Sequence, residues 1–141
     1  MARYPAQTIL VVEDHTPVRR LISRTLTHSG FATIEAGDGH QALSLFESAR
    51  GAIDLAIIDM VMPNMSGLDV AAELERQNPA LKILYISGCL ESLAIDCIRR
   101  RSPEFLLLKP FTGKSLVEKV ADILRAPPTA HHTVNSTPEP T

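Results

Sequence analysis

Four apolar runs in this chain each end on a charged or hydroxyl side chain, and this recurrence constrains the possible fold more than any other feature. The side chains that follow the runs of residues 9–12, 55–58, 83–86 and 105–108 are, in that order, Glu13 with Asp14, Asp59, Ser87 and Lys109. Short runs that are apolar on both faces are typical of strands buried in a parallel sheet. Because the carboxyl ends of parallel strands meet at one sheet edge, where open α/β sheets bind ligands, we expect these side chains to lie together.

Strand-like runs alternate five times with longer amphipathic segments, which predicts an α/β fold with a doubly wound, five-stranded parallel sheet and five helices. The strands are predicted over residues 8–12, 31–35, 54–58, 82–86 and 104–108. In the order 2-1-3-4-5 the first strand is central, and the first and third strands flank the point where the strand order reverses. Asp14 and Asp59 are then expected to face each other across one crevice.

The first helix has both a start signal and a stop signal in the sequence. Thr16 supplies a hydroxyl that is predicted to cap the helix, Pro17 suits its first position, and Gly30 is predicted to end it. Leu21 is predicted to lie on the apolar face of this helix.

The remaining helices are marked by capping-box spacings and by prolines. Asp38 precedes Gln41 by three residues and Ser66 precedes Asp69 by three, which predicts the starts of the second and third helices. The last two helices are predicted over about residues 90–100 and 112–124.

The composition is that of one ordinary globular domain. The chain has 141 residues, of which 45% are hydrophobic and 21% charged, and its formal net charge of -2 gives no general electrostatic reason to bind nucleic acid or anionic lipid. Residues 1–6 are predicted to be a lead-in and residues 7–125 the domain, while residues 126–141, with four of the ten prolines, are predicted to be a disordered tail.

The cellular setting is inferred from what the sequence lacks. No apolar run approaches the roughly 18 residues of a membrane span, and no signal peptide precedes the first strand, so a cytoplasmic protein without membrane contact is expected. Cys89 and Cys97 lie about 12 Å apart along the axis if they share a helix, which is too far for a disulfide.

The predicted cluster suits phosphoryl chemistry assisted by a metal. Neighbouring carboxylates repel each other unless a cation neutralises them, and a hard cation with oxygen ligands such as Mg²⁺ is the expected solution. Asp59 is the predicted nucleophile, forming an aspartyl phosphate, with Lys109 offsetting charge on the phosphoryl oxygens and Ser87 donating a hydrogen bond. The turn over residues 62–67 is expected to leave the Asp59 carboxylate exposed in the crevice, while Asp14 stays beside the metal.

These residues stand in four recognisable motifs. They are Val11-Val12-Glu13-Asp14, Ile58-Asp59-Met60-Val61-Met62-Pro63 with Gly67, Ser87-Gly88, and Lys109-Pro110-Phe111. Together the motifs resemble a response-regulator receiver domain, the phospho-accepting half of two-component signalling, over about residues 7–125. The resemblance implies a flavodoxin-like fold.

The same resemblance implies a role for each site residue. Asp59 is the phosphoacceptor, Asp14 and Asp59 bind Mg²⁺ together with the Val61 backbone carbonyl, and Glu13 reaches the metal through water. Ser87 and Lys109 contact the phosphoryl group. The bond between Lys109 and its following proline is expected to be cis.

Two departures from the family pattern bear on switching and on the lifetime of the phosphoryl group. Receivers usually carry Tyr or Phe three residues before the lysine, where this chain has Leu106; Phe105 points to the opposite face and is not expected to replace it. Val61 and Cys89 stand where the family tunes dephosphorylation, and neither side chain orients a water strongly. A long-lived phosphorylated state is therefore the hypothesis.

The predicted function is that of a single-domain receiver in a two-component or phosphorelay pathway. It is expected to take its phosphoryl group from a sensor histidine kinase or a histidine phosphotransfer protein, and to signal through contacts with a downstream protein target. Direct binding of nucleic acid is not expected, and the oligomeric state is left open, a weak dimer included.

Three alternatives stay open at this point. The chain could be a receiver module of a hybrid histidine kinase, or a scaffold that keeps the site but does not switch. A metal-dependent phosphohydrolase is disfavoured, because that class has a second aspartate two residues after the nucleophile and this chain has Val61 there. The chain is therefore not expected to be a turnover enzyme.

Overall fold

The structure, a computed structural model, describes residues 7–49, 51–88 and 105–125. In this part of the chain five strands form one parallel sheet in the order β2-β1-β3-β4-β5. The strands are β1 (Thr8–Val12), β2 (Ala32–Ala36), β3 (Leu55–Asp59), β4 (Lys82–Ser87) and β5 (Leu106–Leu108). The predicted α/β fold and strand order, with the first strand between the second and the third, are confirmed.

Four helices are described, and they divide between the two faces of the sheet. They are α1 (Thr16–His28), α2 (Gly39–Ala49), α3 (Gly67–Gln77) and α4 (Gly113–Arg125). Residues of α1 and α4 pack on one face, for example Ile22 and Val120 against Ile57. Residues of α2 and α3 pack on the other, for example Phe46 and Leu74. All five residues of β3 are buried, as expected of a strand at the centre of a covered sheet.

Helix α1 differs from its predicted form at its start and on one face. It begins at Thr16, so that His15 is the capping position and offers no side-chain hydrogen bond, and the prediction that Thr16 caps the helix is wrong. Leu21 is 61% exposed, although it was predicted on the apolar face. The buried face of α1 follows Ile22 and Leu26, which are four residues apart, and Leu21 is turned about 100° away from Ile22 around the helix axis.

The other described helix starts agree with the sequence. The Gln41 N–H donates to the Asp38 carboxylate at 2.8 Å, and the Asp69 N–H donates to the Ser66 hydroxyl at 3.2 Å. Thr112 and Ser115 exchange two side-chain hydrogen bonds with each other's N–H groups, both 3.0 Å long. Each of the three predicted starts therefore has its capping interaction.

Strand bounds shift by small amounts from the prediction. β2 and β3 each begin and end one residue later than predicted, β4 ends one residue later at Ser87, and β5 begins at Leu106 rather than at residue 104. The predicted helix over residues 90–100, with both cysteines, and the predicted tail lie outside the described residues. No helix within the described ranges is long and apolar enough to cross a membrane.

Candidate functional site

The site forms where β1 and β3 end side by side. Val12 pairs with Ile58 in the parallel ladder, so the residues that follow them leave the sheet at the same edge. Glu13, Asp14 and Asp59 each place a carboxylate oxygen within 4.8 Å of the other two. The structure thus brings together the three acids that were predicted to meet. They meet because parallel strands end on the same side of the sheet, which was the basis of the prediction.

Lys109 adds a positive charge to this cluster from the end of β5. Its Nζ lies 3.3 Å from Glu13 Oε1 and 3.6 Å from Asp59 Oδ2. Its backbone N–H donates to the Ser87 carbonyl oxygen at 2.8 Å, which fixes the start of the Lys109 side chain beside β4. The peptide bond between Lys109 and Pro110 is cis, as the resemblance implies.

Glu13 is the most enclosed member of the cluster, with a side chain only 1% exposed. One carboxylate oxygen accepts from the His15 N–H at 3.2 Å, and the other faces Lys109. Burial and the neighbouring Asp59 carboxylate raise the pKa of Glu13 from 4.5 to about 7, against the opposing effects of the His15 N–H and of Lys109. Without a further cation, the site therefore holds more negative charge than its single lysine compensates.

Asp59 is buried, which corrects the expectation that the following turn leaves its carboxylate exposed. The side chain is 7% exposed, and the Val61 N–H donates to Oδ1 at 3.1 Å. The turn folds back over the strand end: the Gly67 N–H donates to the Met60 carbonyl oxygen at 3.1 Å, and a Cβ on Gly67 would overlap the Asp59 carbonyl oxygen. Asp14, in contrast, is exposed.

The three carboxylates fit a hard divalent cation. Every donor in the cluster is an oxygen, two of the carboxylates are buried, and the exposed Asp14 leaves an open side where water or a phosphorylated ligand can enter. A cation of this kind would offset the repulsion from Asp59, which adds to the effect of burial in raising the pKa of Glu13.

Ser87 and Val61 lie at and just after the ends of β4 and β3, as predicted, but their roles stay predictions. Ser87 is the last residue of β4 and is fully buried, one position beyond Ile86, which pairs with Asp59. The Val61 side chain is 64% exposed beside the site, and its backbone N–H donates to Asp59 Oδ1.

The position of the missing aromatic residue is filled by a small apolar cluster. Leu106 is buried against Met60, with Leu68 and Tyr85 packed beside them. Phe105 packs on the opposite face of the sheet, in the layer formed with α1 and α4, as the alternation of strand residues predicted. Phe105 therefore does not stand in for an aromatic residue at position 106.

Arg19 contacts the site and was missed by the sequence reasoning. Its Nη1 donates to the Glu13 carbonyl oxygen at 3.0 Å, and its Nε donates to Glu35 Oε1 at 3.1 Å. In the sequence it is one of two adjacent arginines on a helix, and nothing in the helical pattern separates it from a solvated cation. Only the three-dimensional placement of β1, β2 and α1 reveals its contact with Glu13.

Comparison with known proteins gives consistent matches. The family model described as "Response regulator receiver domain" matches residues 9–121. The sensor kinase CckA of Brucella abortus is 33% identical over 117 residues, which is 83% of this chain and 12% of that protein. The probable transcriptional regulatory protein TcrX of Mycobacterium tuberculosis is 30% identical over 124 residues, or 84% of this chain and 50% of that protein.

Solved structures agree with these sequence matches. The crystal structure of a receiver domain from the hybrid histidine kinase CckA is similar with a TM-score of 0.71 and 31% identity, covering 84% of this chain and 99% of that one. The chain therefore spans almost all of a solved receiver domain, but half or less of the two full-length relatives named above.

Proposed function

The chain belongs to the response-regulator receiver domain family, and from this premise we propose that Asp59 accepts a phosphoryl group in a two-component or phosphorelay pathway. The observation that carries the proposal is the placement of Lys109, whose Nζ lies within 3.6 Å of both Glu13 and Asp59 at the edge where three carboxylates meet. This combination offers a nucleophile, a cation for the phosphoryl oxygens and ligands for a divalent metal.

In the proposed reaction a carboxylate oxygen of Asp59 forms a bond to phosphorus while the donor's bond to phosphorus breaks. The Val61 N–H holds Oδ1 and fixes the orientation of the carboxylate. Lys109, which now faces two carboxylates, turns its ammonium group toward the phosphoryl oxygens, and the Ser87 hydroxyl donates a further hydrogen bond. Asp14, Asp59 and the Val61 carbonyl, with Glu13 through water, would hold Mg²⁺, which would supply positive charge to offset that of the phosphoryl oxygens.

The proposed phosphorylated state is long-lived. Hydrolysis needs a water aligned with the phosphorus, and a side chain that accepts a hydrogen bond is needed to hold it. The side chain beside Asp59 in the described turn is Val61, which is exposed and apolar. The same feature disfavours a phosphohydrolase that turns over, because Val61 cannot act as an acid or base.

The proposed phosphodonor is a sensor histidine kinase or a histidine phosphotransfer protein, and the proposed output is a changed contact with a downstream protein, in the cytoplasm. A receiver module within a hybrid histidine kinase is the second candidate, and it is favoured by the similarity to the receiver of CckA. Both candidates use the same chemistry at Asp59.

The test is intact-mass spectrometry after incubation with acetyl phosphate, with and without Mg²⁺, beside an Asp59→Asn variant. We expect the unmodified protein to gain one phosphoryl group only when Mg²⁺ is present, with acetate as the leaving group. The variant is expected to gain none. A gain that is equal without Mg²⁺, or equal in the variant, would contradict the proposal.

A further inference from the structure

Arg19 is not one of the predicted site residues, but its side chain contacts the backbone of Glu13 within the site. Its side chain is 15% exposed, and its two donors point to different elements: Nε to the Glu35 carboxylate on β2, and Nη1 to the backbone carbonyl of Glu13 after β1. The guanidinium lies close to Gly37, where a Cβ would come within 3.2 Å of Nη1. Arg19 is therefore enclosed between the end of β1 and the end of β2.

The carbonyl that Arg19 binds belongs to the peptide unit that joins Glu13 to Asp14. The Glu13 N–H on the other side donates to the Ala36 carbonyl oxygen at 3.1 Å. With both polar groups of Glu13 paired, the plane of the peptide between the two acids is held, and with it the position of the Asp14 Cα from which the side chain extends. The exposed Asp14 has no such enclosure of its own.

We propose that Arg19 is a positioning residue that sets the geometry of the Glu13 and Asp14 carboxylates for a divalent cation. The proposal rests on the function proposed above and adds to it a residue outside the ligand set. Groups that orient metal ligands change metal affinity by about 10- to 100-fold when they are removed. Arg19 acts on the backbone between two such carboxylates, and a change of this order is expected on its loss.

The fork of the guanidinium group is essential to this role. Arg19 reaches two partners with two nitrogens of one planar group, whereas a lysine has a single ammonium nitrogen. In an Arg19→Lys variant the ammonium group is expected to pair with the charged Glu35 rather than with the neutral carbonyl of Glu13. The Arg19→Lys variant keeps the positive charge and most of the aliphatic stem but is expected to lose the hydrogen bond to the Glu13 carbonyl oxygen.

If Arg19 had a purely structural role, it would only link α1 to β2. The same two elements provide a matched control for this alternative. The hydroxyl groups of Ser23 on α1 and Thr33 on β2 form a hydrogen bond with each other. Ser23→Ala removes this link between the two elements without touching the Glu13 carbonyl. General loosening of α1 would affect the site in both variants, whereas positioning affects it only when Arg19 changes.

The experiment is a titration of Mg²⁺ by calorimetry into the unmodified protein and the Arg19→Met, Arg19→Lys and Ser23→Ala variants, with urea unfolding of each. We expect the Mg²⁺ dissociation constant to rise about tenfold or more in both Arg19 variants and to stay within about twofold in Ser23→Ala. Saturating Mg²⁺ is expected to restore phosphoryl gain from acetyl phosphate, because Asp59 and Lys109 are unchanged. Arg19→Lys keeps the test available if Arg19→Met does not fold.

Two results would overturn the positioning role alone: Arg19 variants that bind Mg²⁺ as the unmodified protein does, or a Ser23→Ala variant that loses as much affinity as they do. If the unmodified protein binds no Mg²⁺, the metal-assisted function fails together with this inference. Mg²⁺ binding by the unmodified protein thus distinguishes failure of the proposed function from failure of the positioning role of Arg19.

Discussion

At the scale of single residues, the site is defined by an imbalance of charge. One ammonium group, that of Lys109, faces the two buried carboxylates of Glu13 and Asp59, and the pKa of Glu13 rises to about 7 as a result of burial and of the neighbouring Asp59. The sequence predicted that these groups meet, because each follows a strand. It did not predict that Asp59 is covered, because the contacts come from the backbone of the following turn, such as the Val61 N–H and the close approach of Gly67.

The raised pKa of Glu13, caused first by burial and then by Asp59, predicts a pH dependence of stability when the protein is kept metal-free with a chelator. Between pH 4.5 and about 7 the folded protein holds a proton on Glu13 that the unfolded chain has released. Stability from this group is therefore lost as the pH rises through that window, by at most on the order of 1 kcal/mol for each pH unit. A Glu13→Gln variant lacks this loss.

The measurement is the free energy of urea unfolding at pH 5, 6, 7 and 8 for the unmodified protein and Glu13→Gln. The free energy of unfolding of Glu13→Gln, minus that of the unmodified protein, is expected to increase up to about pH 7 and then to level off. Contributions of the histidines are the same in both proteins and cancel in this difference. A difference that is constant with pH would show that Glu13 ionises normally in the folded protein.

At the scale of elements, the turn between β3 and α3 determines how Asp59 is presented. The Gly67 N–H binds the Met60 carbonyl, and the backbone of residues 59 and 60 lies so close that a Cβ at position 67 would be 2.7 Å from Met60 Cα. Asn64 takes a left-handed conformation with φ of 73° in the same turn. Glycine at position 67 is thus required by close approach of two backbone segments.

Substitution of this glycine is predicted to destabilise the protein and to impair the site. In Gly67→Ala the added methyl group must displace the backbone at Asp59, at a cost of about 1–3 kcal/mol, and phosphoryl gain should slow. Gly88→Ala is the matched control, because its Cβ would meet the Lys109 side chain at an ordinary 3.7 Å. Urea unfolding compares the stability of the two variants, and the rate of phosphoryl gain is measured for Gly67→Ala against the unmodified protein; equal stability of the two variants would contradict the prediction.

Helix starts show which local signals the sequence carries reliably. Asp38 and Ser66 were predicted from their spacing to Gln41 and Asp69, and both make the expected contacts, because capping depends on residues three positions apart. Thr16 was predicted as a cap and is instead the first helical residue. A hydroxyl before proline is compatible with either position, and the exit of the chain from β1 decides between them.

At the scale of the whole molecule, the order of the strands creates the site. β1 lies between β2 and β3, so the acids after β1 meet Asp59 on one side, while Arg19 reaches back to Glu35 on the other. Hydrophobic patterning predicted the strands and helices, because it distinguishes buried strands from amphipathic helices, and the strand order followed from the doubly wound fold assigned to them. The contact of Arg19 was not predictable, because its partner is a backbone carbonyl and carries no sequence signal.

Binding of Mg²⁺ is predicted to stabilise the whole fold, since the unfolded chain has no preformed site. At a Mg²⁺ concentration 100 times the dissociation constant the gain is about 2.7 kcal/mol, seen as a rise in melting temperature. Asp14→Asn should abolish most of the rise while leaving metal-free stability within about 0.5 kcal/mol, because Asp14 is exposed. A rise of equal size in the variant would place the cation elsewhere.

The central claim, that Asp59 is the acceptor, is tested most directly by locating the phosphoryl group. Treatment of the phosphorylated protein with borohydride reduces an aspartyl phosphate to homoserine, and peptide mass spectrometry then identifies the converted position. The account predicts homoserine at position 59, only after incubation with phosphodonor and Mg²⁺. Homoserine at position 14, or a phosphoryl group that survives borohydride on Ser87 or another hydroxyl, would contradict it.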